Sequence, residues 1–317
     1  MTRVDDNRLL ILAPDAGEYA ELVAGADLGP LAIEVAITAT AARSLAGDCN
    51  LVLGVPALVA ELLDDLPRLV WVQSTYAGVD ALCRDGLRRD YTLTGIREVF
   101  GTLMREYVLG WILALERDLF AVREDQRQGR WQPRPYRGLK GLTLGVCGLG
   151  SIGQSVARAG KAFGMRVVGY RRSAAPCDAI DQVYSGDAFT AFLAEADYLV
   201  TVLPATLATD GLFDAAALTA MKPGAVLVNV GRGRTVVEAD LVAALRGGRL
   251  RAAVLDVFAT EPLPLESPLW ALPNAYLTPH NAAISFPQDI FARFAANFRR
   301  YRAGEALQDV VDFARGY

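Results

Sequence analysis

Apolar runs of strand length recur along the first third of the chain and alternate with segments of helical periodicity. We expect strands over residues 9–13, 33–37, 51–53 and 69–73, and helices over residues 18–24 and 55–63. Because strands that alternate with helices form β-α-β units, the pattern predicts an α/β fold with a parallel sheet between helical layers.

The alternation continues beyond a long apolar helix, which we predict over residues 104–120, and a polar, proline-containing loop at 129–141. Further strands are expected over 142–147, 165–170, 198–203, 226–230, 252–257 and 275–278, and further helices over 188–195, 215–221, 238–247 and 287–302. The change in pattern near residue 103 predicts a domain boundary, which a chain of 317 residues is long enough to contain.

One predicted β-α-β unit carries a glycine-rich turn. The strand at 142–147 is followed by the sequence GLGSIG at 148–153, then by an amphipathic helix and a second strand at 165–170. A GxGxxG turn between a strand and a helix is typical of a dinucleotide site, because its glycines let the backbone approach a pyrophosphate. The alternative is a glycine turn in a sheet protein that binds no ligand.

Composition excludes several classes of function. Hydrophobic residues make up 52% of the chain and charged residues 21%, and the formal net charge of −4 argues against a non-specific nucleic-acid binder. The four cysteines lie far apart and the chain has one histidine, so no metal site is expected. Neither a secretory signal nor a membrane-spanning run is apparent, which predicts a cytoplasmic protein without a membrane partner.

Charged residues follow several of the predicted strands. Arg232, Asp256, Glu261 and His280 all lie at or just beyond the ends of strands that we expect to be neighbours in one sheet. Since ligands of such sheets bind beyond the carboxyl ends of the strands, these groups are expected to converge on the reactive end of a bound dinucleotide. Taken singly, each could instead be a turn residue or a solvated charge.

The segment Tyr76-Ala77-Gly78 turns where another predicted strand ends. By the same rule it is a candidate substrate loop. An ordinary strand-to-helix turn is the alternative, since loops at strand ends are common whether or not they bind a ligand.

Together these motifs resemble the D-isomer-specific 2-hydroxyacid dehydrogenase family over almost the whole chain. The resemblance is carried by GLGSIG, by residues 200–233 (VTVLPATLATDGLFDAAALTAMKPGAVLVNVGRG), by DVFATEPLP at 256–264 and by TPHNAA at 278–283. Within the family, the sequence is most similar to glyoxylate/hydroxypyruvate reductases and related reductases of short 2-ketoacids.

The resemblance implies reduction of a small 2-ketoacid to the D-2-hydroxyacid by hydride transfer. The growing negative charge on the carbonyl oxygen calls for a proton donor, and His280 is the one side chain with an ordinary pKa near neutrality. By resemblance, Glu261 orients His280, and Arg232 pairs with the substrate carboxylate and polarises the carbonyl group. Tyr76 and the N–H groups of Ala77 and Gly78 complete the implied substrate site.

The resemblance also implies a cofactor-binding set along the same sheet edge. Asp256 is expected to seat the nicotinamide carboxamide or to tune the surroundings of the histidine. The full set comprises Gly148, Leu149, Gly150, Ser151, Ile152, Gly153, Arg171, Arg172, Ser173, Leu203, Pro204, Thr209, Val230, Gly231, Asp256 and Ala282.

The end of the second strand of the unit departs from the pattern of NAD enzymes. An acidic residue usually binds the adenosine ribose there, but this chain has Arg171-Arg172-Ser173. Two guanidinium groups and a hydroxyl group suit a 2′-phosphate, so we expect NADP(H) to be preferred over NAD(H). The alternative is that the arginines stack on adenine while NAD binds.

The resemblance further implies two Rossmann-like or flavodoxin-like domains with parallel sheets and a cleft between them. Residues 1–103 with 286–317 would form the substrate domain and residues 104–285 the NAD(P)-binding domain. Members of the family are commonly homodimers, and the helix from Met104 and the loop around Trp131 are candidate contacts. A corepressor-like dinucleotide sensor and a dehydrogenase that oxidises formate or phosphite are the competing functions, and the sequence does not choose among 2-ketoacids.

Overall fold

The computed structural model describes residues 6–173 and 175–316, and these residues form two compact units. The first unit comprises the described residues up to Val99 together with those from Ser285 onward, and the second comprises the described residues from Phe100 to Ile284. The boundaries expected from the sequence, at 103 and 286, lie a few residues further along, and residues 1–5 and 317 of the expected domains lie outside the described residues.

The first unit is built on a parallel sheet of five strands. Its strands and helices, in chain order, are β1 (Arg8–Leu12), α1 (Ala16–Ala24), β2 (Ala32–Ala36), α2 (Ala39–Ala46), β3 (Leu51–Gly54), α3 (Pro56–Ala60), β4 (Trp71–Ser74) and β5 (Thr92–Thr94). The strand order is β2-β1-β3-β4-β5, and each pair of neighbours is parallel. Apolar residues of β1, β3 and β4 are fully buried, which explains why these strands are unbroken apolar runs.

The second unit begins with two helices and continues as a parallel sheet of seven strands. Its elements are α4 (Gly101–Glu116), α5 (Leu119–Arg127), β6 (Thr143–Cys147), α6 (Ser151–Ala162), β7 (Arg166–Tyr170), β8 (Gln182–Tyr184), α7 (Phe189–Leu193), β9 (Tyr198–Thr201), α8 (Ala215–Ala220), β10 (Ala225–Asn229), α9 (Glu238–Arg246), β11 (Leu250–Leu255) and β12 (Ala275–Leu277). The strand order is β12-β11-β10-β9-β6-β7-β8. It reverses direction between β6 and β9, which is where open sheets of this kind bind ligands.

The last helix, α10 (Pro287–Ala303), belongs to the first unit. Its Phe294 ring stacks on Trp71 of β4 at 5.4 Å between ring centroids. Buried Asn297 donates a hydrogen bond to the Gln73 side chain at 3.2 Å. The apolar side of α10 that is visible in the sequence is therefore buried on the sheet of the first unit.

The expected α/β fold class is confirmed, since both sheets of the described chain are parallel. The single helix predicted over 104–120 is wrong at its end, because Asp118 has a left-handed backbone (φ 50°) and separates α4 from α5. Strands β5 and β8 were not predicted, because each is a three-residue edge strand without a long apolar run. Among the described residues, no helix combines the length and apolar character needed to cross a membrane.

Several apolar side chains of the second unit are exposed in the single chain. Trp131 is 96% exposed, and Leu119, Phe120 and Val122 of α5 are about half exposed. This is the region in which the sequence predicts a homodimer contact. The homodimer stays a prediction.

Candidate active site

The glycine turn between β6 and α6 has the geometry that its sequence predicts. Gly148 has φ 101°, a conformation that side chains strongly disfavour, and a Cβ atom there would lie 2.8 Å from the carbonyl oxygen of Val202. A Cβ atom at Gly153 would lie only 1.9 Å from the carbonyl oxygen of Gly148. Both glycines are thus required for the turn to close against the start of the helix.

Gly150 is the glycine of the turn with open space around it. It precedes the first residue of α6, and a Cβ atom built on it would meet no atom within 4 Å. The first N–H groups of a helix have no acceptors within the helix. An open approach to such N–H groups fits the pyrophosphate of a dinucleotide, so the residues present are compatible with this cofactor.

The residues that follow β7 are basic. β7 is paired with β6 along its whole length, so Arg171, Arg172 and Ser173 lie beside the glycine turn at the same edge of the sheet. Arg171 is partly exposed, and Arg172 and Ser173 are exposed. The place where NAD enzymes present a carboxylate to the ribose is therefore occupied by side chains that can bind a phosphate.

The loops after β9 and β10 lie against each other. A Cβ atom at Gly231 would lie 2.7 Å from the backbone nitrogen of Leu203. In the first loop, the Thr209 hydroxyl group donates a hydrogen bond to the Pro204 carbonyl oxygen at 2.7 Å. The cofactor-binding candidates Leu203, Pro204, Thr209 and Gly231 are thus brought together.

Arg232 is held by its backbone. The buried side chain of Asn229 accepts a hydrogen bond from the Gly231 N–H at 3.1 Å and donates one to the Arg232 carbonyl oxygen at 3.1 Å. The Thr235 hydroxyl group donates to the same carbonyl oxygen at 2.7 Å. The loop therefore fixes the point from which the guanidinium group of Arg232 extends.

The loop after β10 also packs on the loop after β11. A Cβ atom at Gly233 would lie 1.8 Å from the carbonyl carbon of Phe258, so glycine is required at this position. Phe258 in turn donates its backbone N–H to Glu261 Oε1 at 2.8 Å. This contact fixes one oxygen atom of the Glu261 carboxylate relative to the Arg232 loop.

His280 and Glu261 form a hydrogen-bonded pair. His280 Nδ1 lies 2.8 Å from Glu261 Oε2, which leaves Nε2 as the ring nitrogen directed away from the carboxylate. The His280 backbone has φ 52°, and its N–H donates to the Asp256 carbonyl oxygen at 2.8 Å. The histidine is thus fixed at both its ring and its backbone.

Asp256 holds the loop that carries His280. Its carboxylate, 2% exposed, accepts hydrogen bonds from the Thr278 hydroxyl group at 2.6 Å, the Asn281 N–H at 2.9 Å and the Ala282 N–H at 3.0 Å. The Asp256 charge also contributes to the raised pKa of His280. A contact of Asp256 or Ala282 with a cofactor stays a prediction.

The charges at this edge shift the pKa values of the pair. The hydrogen bond that His280 Nδ1 donates to Glu261 is the main cause that raises the pKa of His280 above its ordinary value; partial burial opposes it and the Asp256 charge adds to it. Partial burial favours a higher pKa for Glu261, but the His280 and Phe258 hydrogen bonds and the Arg232 charge outweigh it and lower that pKa. Arg232, Glu261 and His280 thus interact electrostatically, and their catalytic roles stay predictions.

In the first unit, the predicted substrate turn follows β4. The Ser74 hydroxyl group donates to the Tyr76 carbonyl oxygen at 2.7 Å and accepts from the Tyr76 N–H at 3.0 Å. The side chain of Tyr76 is exposed, as is Ala77, and Gly78 is partly exposed. The turn therefore presents its backbone at the carboxyl edge of its own sheet.

Supporting residues at the site were not predicted from the sequence. They are Asn229, Phe258 and Thr278, which hydrogen-bond predicted site residues, and Gly233, which lets the Arg232 loop pack against Phe258. All four lie inside or next to the quoted motifs, and this position was the only indication in the sequence that they belong to the site. Their partners are distant in sequence or are backbone atoms, so spacing alone could not reveal these roles.

Known proteins share this architecture. A family model described as D-isomer specific 2-hydroxyacid dehydrogenase, NAD binding domain, matches residues 109–282. The glyoxylate/hydroxypyruvate reductase A of Serratia proteamaculans is 35% identical over 268 residues, which cover 81% of this chain and 84% of that protein.

Solved structures extend the similarity to nearly the full chain. A D-isomer specific 2-hydroxyacid dehydrogenase family protein from Aeromonas salmonicida superposes with a TM-score of 0.93 at 48% identity, covering 97% of this chain and 99% of its own. The NADPH-dependent glyoxylate/hydroxypyruvate reductase of Sinorhizobium meliloti, in complex with NADP and sulfate, superposes with a TM-score of 0.88 at 32% identity, covering 98% and 100%. With the matched domain spanning more than half of the sequence, this chain belongs to the D-isomer specific 2-hydroxyacid dehydrogenases, a family of NAD(P)-dependent oxidoreductases.

Proposed function

We propose that this protein uses NADPH to reduce a small 2-ketoacid, such as glyoxylate or hydroxypyruvate, to the 2-hydroxyacid, which is the D-isomer where the product is chiral. The observation that carries the proposal is the 2.8 Å pair of His280 and Glu261, electrostatically coupled to Arg232 at the carboxyl edge of a dinucleotide-binding sheet. The activity named for the relatives from Serratia proteamaculans and Sinorhizobium meliloti supports the same reaction.

His280 is proposed to be the acid and base of the reaction. As a ketone is reduced, negative charge grows on its oxygen atom, and a donor within hydrogen-bond reach lowers the barrier. The raised pKa of His280 keeps more of the imidazole protonated near neutral pH. Glu261 fixes the ring through Nδ1, so that Nε2 carries the proton to be donated.

Arg232 is proposed to bind the substrate carboxylate and to polarise the carbonyl group. A guanidinium group suits both tasks because it is planar, permanently charged and carries several N–H donors. In the first unit, the N–H groups of Ala77 and Gly78 in the exposed turn are proposed to bind a carboxylate oxygen. Tyr76 is proposed to contribute to the same substrate loop.

Bound NADPH would supply the hydride for this reduction. We propose that the N–H groups at the start of α6 hold its pyrophosphate, and that Arg171, Arg172 and Ser173 hold a 2′-phosphate. The NADP complex of the Sinorhizobium meliloti relative supports a phosphorylated cofactor. The remaining proposed contacts are Leu203, Pro204, Thr209, Val230, Gly231, Asp256 and Ala282, which line the adjoining strand ends.

The test is the consumption of NADPH or NADH with glyoxylate, hydroxypyruvate, pyruvate and phenylpyruvate in turn. We expect turnover with at least one of these acids and a kcat/KM at least about tenfold higher with NADPH, the factor that one charge-assisted hydrogen bond contributes. In Arg171→Ala, the ratio of kcat/KM with NADPH to kcat/KM with NADH should fall, because the value with NADPH decreases while the value with NADH is unchanged.

Comparable efficiency with both cofactors would contradict the cofactor assignment. Tight binding of NADPH without turnover of any of the four acids would contradict the reductase and favour the corepressor-like dinucleotide sensor. A fold shared with enzymes does not by itself exclude such a sensor. The panel therefore separates an error in the cofactor from an error in the reaction.

A further inference from the structure

A chain of hydrogen bonds connects helix α4 to the loop that carries His280. The Tyr107 hydroxyl group lies 2.6 Å from Thr278 Oγ1, and Thr278 Oγ1 lies 2.6 Å from Asp256 Oδ1. All three residues belong to the second unit. The chain thus begins on a helix outside the loops in which the site residues lie.

The direction of these hydrogen bonds follows from the number of protons. A threonine hydroxyl group has one proton, and the Thr278 proton is donated to the Asp256 carboxylate, which can only accept. The Tyr107 hydroxyl group must therefore donate to Thr278. Burial raises the pKa of Tyr107 to about 12, so the tyrosine keeps its proton over the working range of pH.

The ring of Tyr107 is fixed by an aromatic cluster. It contacts Trp111 edge to face at 6.2 Å between centroids, and Trp111 contacts Tyr276 at 5.3 Å and Phe120 at 5.7 Å. The cluster joins α4, α5 and β12 around the tyrosine. A side chain held in this way presents its hydroxyl group to Thr278 at a defined position.

The far end of the chain supports an unfavourable backbone conformation. His280 has φ 52°, which costs a non-glycine residue free energy unless neighbouring contacts enforce it. Those contacts come from Asp256, whose carboxylate binds the N–H groups of Asn281 and Ala282 and whose carbonyl oxygen binds the His280 N–H. The position of the Asp256 carboxylate therefore bears directly on the alignment of the imidazole with Glu261.

We propose that Tyr107 is a positioning residue for the reaction: through the Thr278 hydroxyl group it holds the segment that carries His280. The inference rests on the proposed role of His280 as proton donor. Tyr107 acts through two other side chains: its hydroxyl group bonds Thr278, and Thr278 bonds Asp256. Its hydroxyl group helps to orient His280, whereas its ring alone provides the packing that stabilises the fold.

The test uses the single histidine of the sequence. In protein labelled with ¹³C and ¹⁵N, with any affinity tag removed, the imidazole signals report on His280 alone, and their titration gives its pKa without any turnover. We expect Tyr107→Phe to lower this pKa by about half a unit, because a less well aligned imidazole forms a weaker hydrogen bond to Glu261. A shift of this size corresponds to the low end of the free energy that one hydrogen bond contributes. We also expect a fall of about three- to tenfold in kcat, with little change in the KM for NADPH.

Tyr276→Phe is the matched control. Tyr276 belongs to the same aromatic cluster, and its hydroxyl group forms no hydrogen bond with the described residues. This variant should leave both the pKa and kcat unchanged. Thr278→Val should reproduce the effect of Tyr107→Phe or exceed it, and Thr278→Ser, which keeps the hydroxyl group, should restore most of the loss.

A double variant makes the test specific to the chain of hydrogen bonds. Once Thr278→Val has removed the acceptor, adding Tyr107→Phe should cause little further loss. The proposal is overturned if Tyr107→Phe leaves the His280 pKa unchanged, if Tyr276→Phe shifts it equally, or if the two losses simply add. Failure of the wild-type protein to reduce any 2-ketoacid would refute the proposed function, and the titration would still decide the role of Tyr107.

Discussion

At the scale of single residues, the site depends on a histidine whose backbone and ring are fixed by different neighbours. Glu261 binds the ring, and Asp256 binds the backbone in its left-handed conformation. The sequence contains one histidine, so its identity was predictable, and the resemblance supplied Glu261. The backbone conformation and the hydroxyl groups behind Asp256 were not predictable, because both arise from contacts between residues far apart in the chain.

The charge pair predicts a particular dependence of stability on pH. The raised pKa of His280 stabilises the fold fully below its ordinary value of 6.5, and that contribution is lost as the pH rises through the raised pKa. The lowered pKa of Glu261 stabilises the fold above its ordinary value of 4.5, and that contribution is lost as the pH falls through the lowered pKa. The pair therefore contributes most between these two ordinary values.

Thermal unfolding of the wild type and His280→Gln measures this contribution. Because the His280 side chain is 53% exposed, we expect a Tm difference of only about 1–3 °C near pH 5.5, shrinking toward zero by about pH 9. Arg315→Gln, which removes the exposed Arg315–Asp312 pair, is the control. Its Tm difference should not change over this range. A Tm difference between the wild type and His280→Gln that grew with pH would contradict the proposed stabilisation by the His280–Glu261 pair.

At the scale of elements, long apolar runs and motifs were predictable and short or polar elements were not. Buried strands such as β6 and β10 are recognisable because both faces are covered by helices. The break between α4 and α5 was missed because it depends on the left-handed backbone of Asp118. Helix α5 was missed because its later residues are mostly charged or polar, and its buried Asp125 is compensated by Arg130 and Arg134 from the following loop.

The glycine turn predicts that two alanine substitutions three positions apart impair different properties of the protein. Gly150→Ala enters open space with φ −73°, so the Tm should change by less than about 2 °C, while NADPH binding weakens by about tenfold because a methyl group projects into the approach to the α6 N–H groups. Gly153→Ala places a Cβ atom 1.9 Å from a backbone oxygen and should destabilise the fold by about 1–3 kcal/mol.

Thermal unfolding and a fluorescence titration with NADPH measure the two effects separately. Each variant serves as the control for the other. Equal losses of stability in the two variants would contradict the packing of the turn. Unchanged NADPH affinity in a well-folded Gly150→Ala would show that the turn does not hold the cofactor as proposed.

At the scale of the whole molecule, two parallel sheets are built from one chain with different strand orders. The alternation of strands and helices predicted the α/β fold class. The family resemblance predicted that the chain returns to the first unit through α10, and the apolar side of this helix packs on β4. Strand order and the convergence of loops are long-range properties. The sequence indicated them only through motifs such as GLGSIG and TPHNAA, each of which follows a strand of the same sheet.

The central claim is that His280, held by Glu261, donates the proton when a 2-ketoacid is reduced. Its most direct test is the turnover of His280→Gln with NADPH and the best 2-ketoacid of the panel, alongside the NADPH affinity of the same variant. We predict that kcat falls by about 10²–10⁴, the usual contribution of a general acid, while the affinity for NADPH changes less than about twofold. Near-normal turnover by a well-folded His280→Gln protein would contradict the account.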